Sequence, residues 1–168
     1  MGLAKKLIPF SLTFFIILID QITKIMVVAG IPPYTIKYSF FNGFLRIIHV
    51  RNKAIAFSLG HNLPEGIRTV FFSILPLVIL VLLIVYIIRT AELTVPQRWA
   101  LSGILGGGFG NLIDRFFRTE GVVDFIDVKF YGIFGLERWP TFNVADSSIV
   151  VFGIFLFLSI ICFNNRQT

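Results

Sequence analysis

Between Gly106 and Asp146 the chain places four carboxylates in strongly apolar sequence: Asp114 in GGGFGNLIDR, Asp124 in VVDF, Asp127 close behind it, and Asp146 in FNVADS. A buried acid is costly unless it is paired, and in membrane segments ionisable residues mark function. Two carboxylates held about 3 Å apart cannot both ionise. They share a proton, one acting as base and one as acid, and a water between them becomes a nucleophile towards an amide carbonyl. Asp124 and Asp146 suit this role, the first just outside an apolar run and the second in the first turn of another. Taken singly, Asp146 would pass for a helix-dipole partner and Asp124 for a turn or headgroup contact. Asn111, Asp114 and Asn143 nearby argue for a site. Asp114 beside Arg115 reads as a structural ion pair, and Asn111 and Asn143 as amides that hold a substrate backbone or the carboxylates. Ser147 and Ser148 have no neighbouring histidine, and Cys162 lies at the far end of its run, so neither nucleophile class is supported.

The elements that position these acids are membrane spans. Of the 168 residues 56% are hydrophobic and only 14% charged, whereas soluble domains run near 25% charged. Twenty phenylalanines reinforce that reading. The expected class is an all-α integral membrane protein, a four-helix transmembrane bundle forming a single domain over residues 1–168. A small extramembrane β-sheet and loop region is expected on the outer face. Spans are expected at about 7–29, 67–88, 97–115 and 142–163, with outer-face segments at about 30–66 and 116–141. Lys5 and Lys6 before an apolar run resemble a signal peptide, but the pattern continues through Asp20 and Lys24, which predicts one uncleaved helix ended by Pro32-Pro33. Asp20 and Lys24, four apart with the acid first, share a helix face. They read as a buried bracket at the polar end of the bundle, or as an interfacial pair. Pro76 is expected to kink the second span. Gly103-xxx-Gly107 and Gly106-xxx-Gly110 give the third span the small-residue spacing that lets backbones approach closely.

Short alternating pieces at 36–38, 44–50 and 122–125 read as strands, and those before residue 66 as a small sheet on the membrane surface that covers the substrate. The stretch from Lys129 to Arg138 reads as an unassigned loop. His49 and His61 have no second ligand at metal spacing, so neither a metal nor a cofactor is expected. The net charge of +6 does not point to nucleic acid, because the basic residues stand at the ends of apolar runs, where they meet membrane lipids.

In an up-down bundle the ends carrying Asp20, Asp114 and Asp146 lie on one side of the membrane, with the loops carrying Asn52 and Asp124. Lys5, Lys6, Arg89, Arg98 and Arg166 fall on the other side, and the remaining basic residues fall with the acids. The weight of the first helix places both termini in the cytoplasm and the acids at the outer face.

These residues resemble the lipoprotein signal peptidase (signal peptidase II) family of membrane aspartyl proteases across nearly the whole chain. Asp20-Gln21-x-x-Lys24 is similar to the family's first box, and Gly107-x-x-Gly110-Asn111-x-x-Asp114-Arg115 to its glycine-rich box. Val122-Val123-Asp124-Phe125 and Phe142-Asn143-x-Ala145-Asp146 are similar to the two boxes that carry the catalytic pair. The resemblance implies Asp124 and Asp146 as the dyad. Asp20, Lys24, Asn52, Asn111, Asp114, Arg115 and Asn143 are implied as supporting residues. It implies a prolipoprotein substrate whose cysteine already carries diacylglycerol, cut just before that cysteine. It also implies a bacterial cytoplasmic membrane location with the site near the outer leaflet. The protein is expected to be a monomer. One box departs: the family's Asn-x-Gly-Ala-Ala-Phe reads Asn52-Lys53-Ala54-Ile55-Ala56-Phe57. Two other readings compete: a small proton-coupled transporter or channel with a carboxylate relay, and a non-catalytic assembly factor built on the glycine-rich face.

Overall fold

The apolar runs fold as helices whose ends are set by proline and by capping. The computed structural model describes residues 2–52 and 64–164. Helix α1 (Leu3–Leu7) leads through Ile8-Pro9 into α2 (Phe10–Gly30), which stops where Ile31 turns extended ahead of Pro32. The second long helix is composite: α3 (Glu65–Thr69), a π-helical turn (Val70–Ile74) and α4 (Leu75–Arg89). Pro76 cannot donate a main-chain hydrogen bond, so the disturbance expected there appears as a widened turn just before it. Helix α5 (Val95–Phe117) opens with a capping box, Thr94 and Gln97 bonding each other's backbone N–H. Helix α6 (Val144–Asn164) completes the set.

Three segments, Lys5–Gly30, Gly66–Arg89 and Val144–Cys162, are long and apolar enough to cross a membrane. Helix α5 is packed among these three. Thr13 Oγ1 donates to Ser102 O (2.7 Å) and Gln21 Nε2 to Gly110 O (3.0 Å), so α2 and α5 run in the same direction. Helix α6 runs against α5: Ser148 Oγ donates to Gly103 O (2.9 Å), while Asn143 meets Asn111 (3.0 Å). The approach is close because α5 lacks side chains there. A Cβ at Gly107 would stand 2.3 Å from Ala145 O. Leu80 and Ile87 of α4 pack with Leu101, Leu105 and Leu112 of α5 in the main apolar core. Arg98 is fully buried, donating to Ile87 O and to Thr90 O (2.6 Å), so it closes the open carbonyl end of α4.

The extramembrane segments fold together as one antiparallel sheet in the order β1-β2-β3-β4: β1 (Ile36–Phe40), β2 (Leu45–Asn52), β3 (Val122–Ile133) and β4 (Leu136–Arg138). The expected strands are present, and the sheet is larger than expected. The 129–138 stretch, expected as a loop, continues β3 and turns back as β4. Asp127 explains its stability. Arg138 Nε sits 2.6 and 2.7 Å from its two oxygens, and Arg138 Nη1 donates to Gly43 O (3.1 Å), tying β4 and the β1–β2 turn to β3.

Candidate active site

Helix α2 brings Asp20 and Lys24, both fully buried, which excludes an interfacial pair. Lys24 Nζ lies 2.8 Å from Asp20 Oδ2 and 3.1 Å from Asp114 Oδ2, and donates to Asn111 Oδ1 (3.0 Å). A buried ammonium has three donors to satisfy, and here all three find oxygen. Asp20 uses its other oxygen on α6, accepting Ala145 N–H (2.9 Å), one of the backbone donors that the start of a helix leaves open.

Asp114 differs from the expectation in its partner. Its cations are Lys24 and Arg118 Nε (3.0 Å), and its second oxygen also accepts Val123 N–H (3.0 Å). Arg118 is one helical turn from Asp114 and shares its face, whereas adjacent residues diverge. Arg115 instead stands 5.5 Å over the Phe72 ring, within the fields of Asp124, Asp146 and Asp114. Gln21, which sequence reasoning left out of the site, reaches Asp114 Oδ1 and Asp20 Oδ2 (3.2 Å each).

Strand β3 carries Asp124. Gly121, at φ +96°, reverses the chain between α5 and β3, a backbone that favours glycine. Val123 and Phe125 pack with Val27 of α2 and with Ile31 just past its end, and strand alternation then sends Asp124 the opposite way. Phe125 and Ile126 donate to Phe142 O (3.0 and 2.8 Å), so β3 holds the residue immediately before Asn143. Asn143 and Asp146 close the start of α6 reciprocally: Asn143 N–H donates to Asp146 Oδ2 (3.2 Å) and Asp146 N–H to Asn143 Oδ1 (2.9 Å).

The two expected dyad residues therefore meet through amides. Asn143 Nδ2 lies 2.8 Å from Asp124 Oδ1, and Asn111 Nδ2 donates to Asp146 Oδ1 (2.7 Å). Asn111 Oδ1 accepts from Asn143 Nδ2 and from Lys24, so the amides are orientated by the buried cation behind them. Asn52, at the end of β2, donates to Asp124 Oδ2 (3.0 Å). Burial pushes the Asp124 carboxyl up to about 7; the Asn52 hydrogen bond opposes this and the Asp146 charge adds to it. All nine residues singled out from the sequence thus gather where the helix ends meet the sheet. The Lys53–Phe57 part of the departing box, with Ala54 and Ile55, and His61 lie outside the described residues. His49 is buried, its Nδ1 2.7 Å from Ile31 O. Ser147 and Ser148 bond backbone carbonyls.

A family model described as signal peptidase (SPase) II matches residues 12–163. The lipoprotein signal peptidase of Treponema pallidum is 48% identical over 157 residues, 94% of this chain and 84% of that protein. That of Treponema denticola is 51% identical over 160 residues, 95% of this chain and 92% of that one. Two solved structures of bacterial membrane enzymes superpose with TM-scores of 0.79 and 0.75, at 28% and 30% identity. They cover 95% and 90% of this chain, and 91% of each solved chain. The chain belongs to the signal peptidase II family.

Proposed function

We propose that this protein is a lipoprotein signal peptidase, an aspartic endopeptidase of the bacterial cytoplasmic membrane in which Asp124 and Asp146 activate water. The observation that carries the reading is the pair of carboxylates, from a strand and a helix start, joined through Asn143 and Asn111 at one end of the helices. Asp124, pushed up to about 7, holds the shared proton at rest, which leaves Asp146 as the base. Asp146 takes a proton from water as its oxygen bonds to the scissile carbonyl carbon, and Asp124 gives its proton to the carbonyl oxygen. On collapse the gem-diol returns a proton to Asp124, Asp146 hands its own to the leaving nitrogen, and the C–N bond breaks. An acid and an amine result, and the dyad is restored.

Asp20, Lys24 and Asp114 hold the amides and the start of α6, Asn52 orientates Asp124, and Arg115 supplies positive charge to the site. The substrate is a diacylglyceryl-modified prolipoprotein, cut before the lipidated cysteine. The 168 residues form a single peptidase domain and act as a monomer. Helix α5 makes the fourth crossing; its glycines reflect burial among the other helices. Both termini lie in the cytoplasm and the acids near the outer leaflet. The alternative proton relay requires titratable groups spaced across the membrane, whereas Asp20, Asp114, Asp124 and Asp146 form one connected cluster. The test is cleavage of a lipidated and an unlipidated precursor by the purified protein, with product masses measured. A single cut before the modified cysteine, dependent on the lipid, is expected; no cleavage of a correctly lipidated precursor overturns the reading.

A further inference from the structure

Beside the acids, between the π turn ahead of α4 and the end of α5, lies a cavity of about 150 Å³ that shares Asn52 and Arg115 with the candidate active site and extends beyond it to Arg68. Among the described residues three arginines line it, Arg68, Arg115 and Arg118, with Thr69, Ser73, Asn52 and Phe72 among its other walls. No carboxylate lines it among the described residues. Arg118 is balanced by Asp114 and Arg115 rests on the Phe72 ring. The half-buried Arg68 side chain has no hydrogen bond or ion pair among the described residues. The cavity is therefore a concave, cationic space edged with hydroxyls, which suits an oxyanion.

What flanks it selects the kind of oxyanion. On the Arg68 side Ile67, Val70, Phe71 and Ile74 are exposed, and on the other Phe116 and Phe117 are exposed. The helix bearing Arg68 begins a candidate membrane span at Gly66, so the guanidinium stands at headgroup depth with apolar shoulders on both sides. A ligand that fits has an anionic head and apolar tails. The π turn places Phe72 and Ser73 in the wall, a distortion often found at functional positions.

We propose that this cavity binds the headgroup phosphate of an anionic phospholipid, with Arg68 as its principal contact. Because Asn52 both lines the cavity and donates to Asp124, the bound lipid sits one side chain from the acids.

Native mass spectrometry of the detergent-purified protein tests this with phosphatidylglycerol and phosphatidylcholine as probes. The wild type is expected to retain phosphatidylglycerol in preference to phosphatidylcholine. R68Q is expected to lose that preference about tenfold, while R46Q, an arginine of β2 outside the cavity, keeps it. Equal retention by R68Q, or equal loss in R46Q, overturns the proposal. If R68Q does not fold, displacement of the lipid from the wild type by glycerol phosphate decides: displacement supports the site and its failure contradicts it. Should the wild type show no lipid preference but retain a signal-peptide acid over its amide, the cavity belongs to the cleaved peptide and the lipid assignment fails. None of these readouts depends on peptide cleavage, so the proposed function stands or falls separately.

Discussion

At Asp124 the same burial that makes a useful acid makes a costly residue. Its carboxyl is raised from 3.8 to about 7, so the folded chain binds more protons than the unfolded chain between those values. Stability from the neutral form is complete below about pH 4 and is lost as pH rises through 7. D124N, neutral throughout, should therefore be more stable than the wild type at pH 8, by on the order of 4 kcal/mol, with the gap closing towards pH 4. Thermal denaturation at the two pH values checks this; a gap that widens towards low pH contradicts it. The wild-type rate should fall about tenfold per unit above pH 7 as the pair loses its shared proton. A flat profile from pH 6 to 9 would remove the one-proton dyad.

At the level of elements, the glycines of α5 set how near α6 can bring Asp146 to Asn111. A Cβ at Gly107 would meet Ala145 O at 2.3 Å, whereas one at Gly153 meets nothing within 4 Å. G107A should cost about 1–3 kcal/mol through overpacking and backbone shift and lower the cleavage rate, while G153A is neutral or stabilising by up to about 1 kcal/mol. Equal effects of the two would contradict a close-approach role. This element was legible in the sequence because small-residue spacing along one helix is local information. So was the Asp20–Lys24 bracket, written in an i,i+4 interval. The Asp114–Arg118 pair carried the same interval, and adjacency to Arg115 hid it. The extent of the sheet was not legible, because β3 is specified by partners far away in the chain: β2 on one side, and Arg138 closing on Asp127 on the other. Those pairings also change the meaning of residues 36–47. They make β1 and the first three residues of β2, the strand whose Val50 pairs with Asp124, so removing them disturbs the support of an acid as well as any cover over substrate.

Across the whole molecule, charge and apolar surface are separated. Helices α2, α4 and α6 expose leucine, isoleucine, valine and phenylalanine, while the buried carboxylates of α2, α5 and β3 and the half-buried one of α6 converge at one end. That polarity separates a peptidase from a relay by experiment. Cleavage in detergent should equal cleavage in sealed vesicles to within a few fold, and an imposed proton gradient should leave it unchanged. A strict requirement for a sealed, energised vesicle would return the transporter reading.

Whether Asp124 and Asp146 are the catalytic pair is decided by the cleavage rate of a diacylglyceryl-modified precursor by the wild type, D124N and D146N, each shown to be folded. A wild-type cut before the modified cysteine and loss by several orders of magnitude in each variant are expected. Near wild-type activity in either variant would show that the two carboxylates joined through Asn143 and Asn111 are not the catalytic pair, and would turn attention to Asp114.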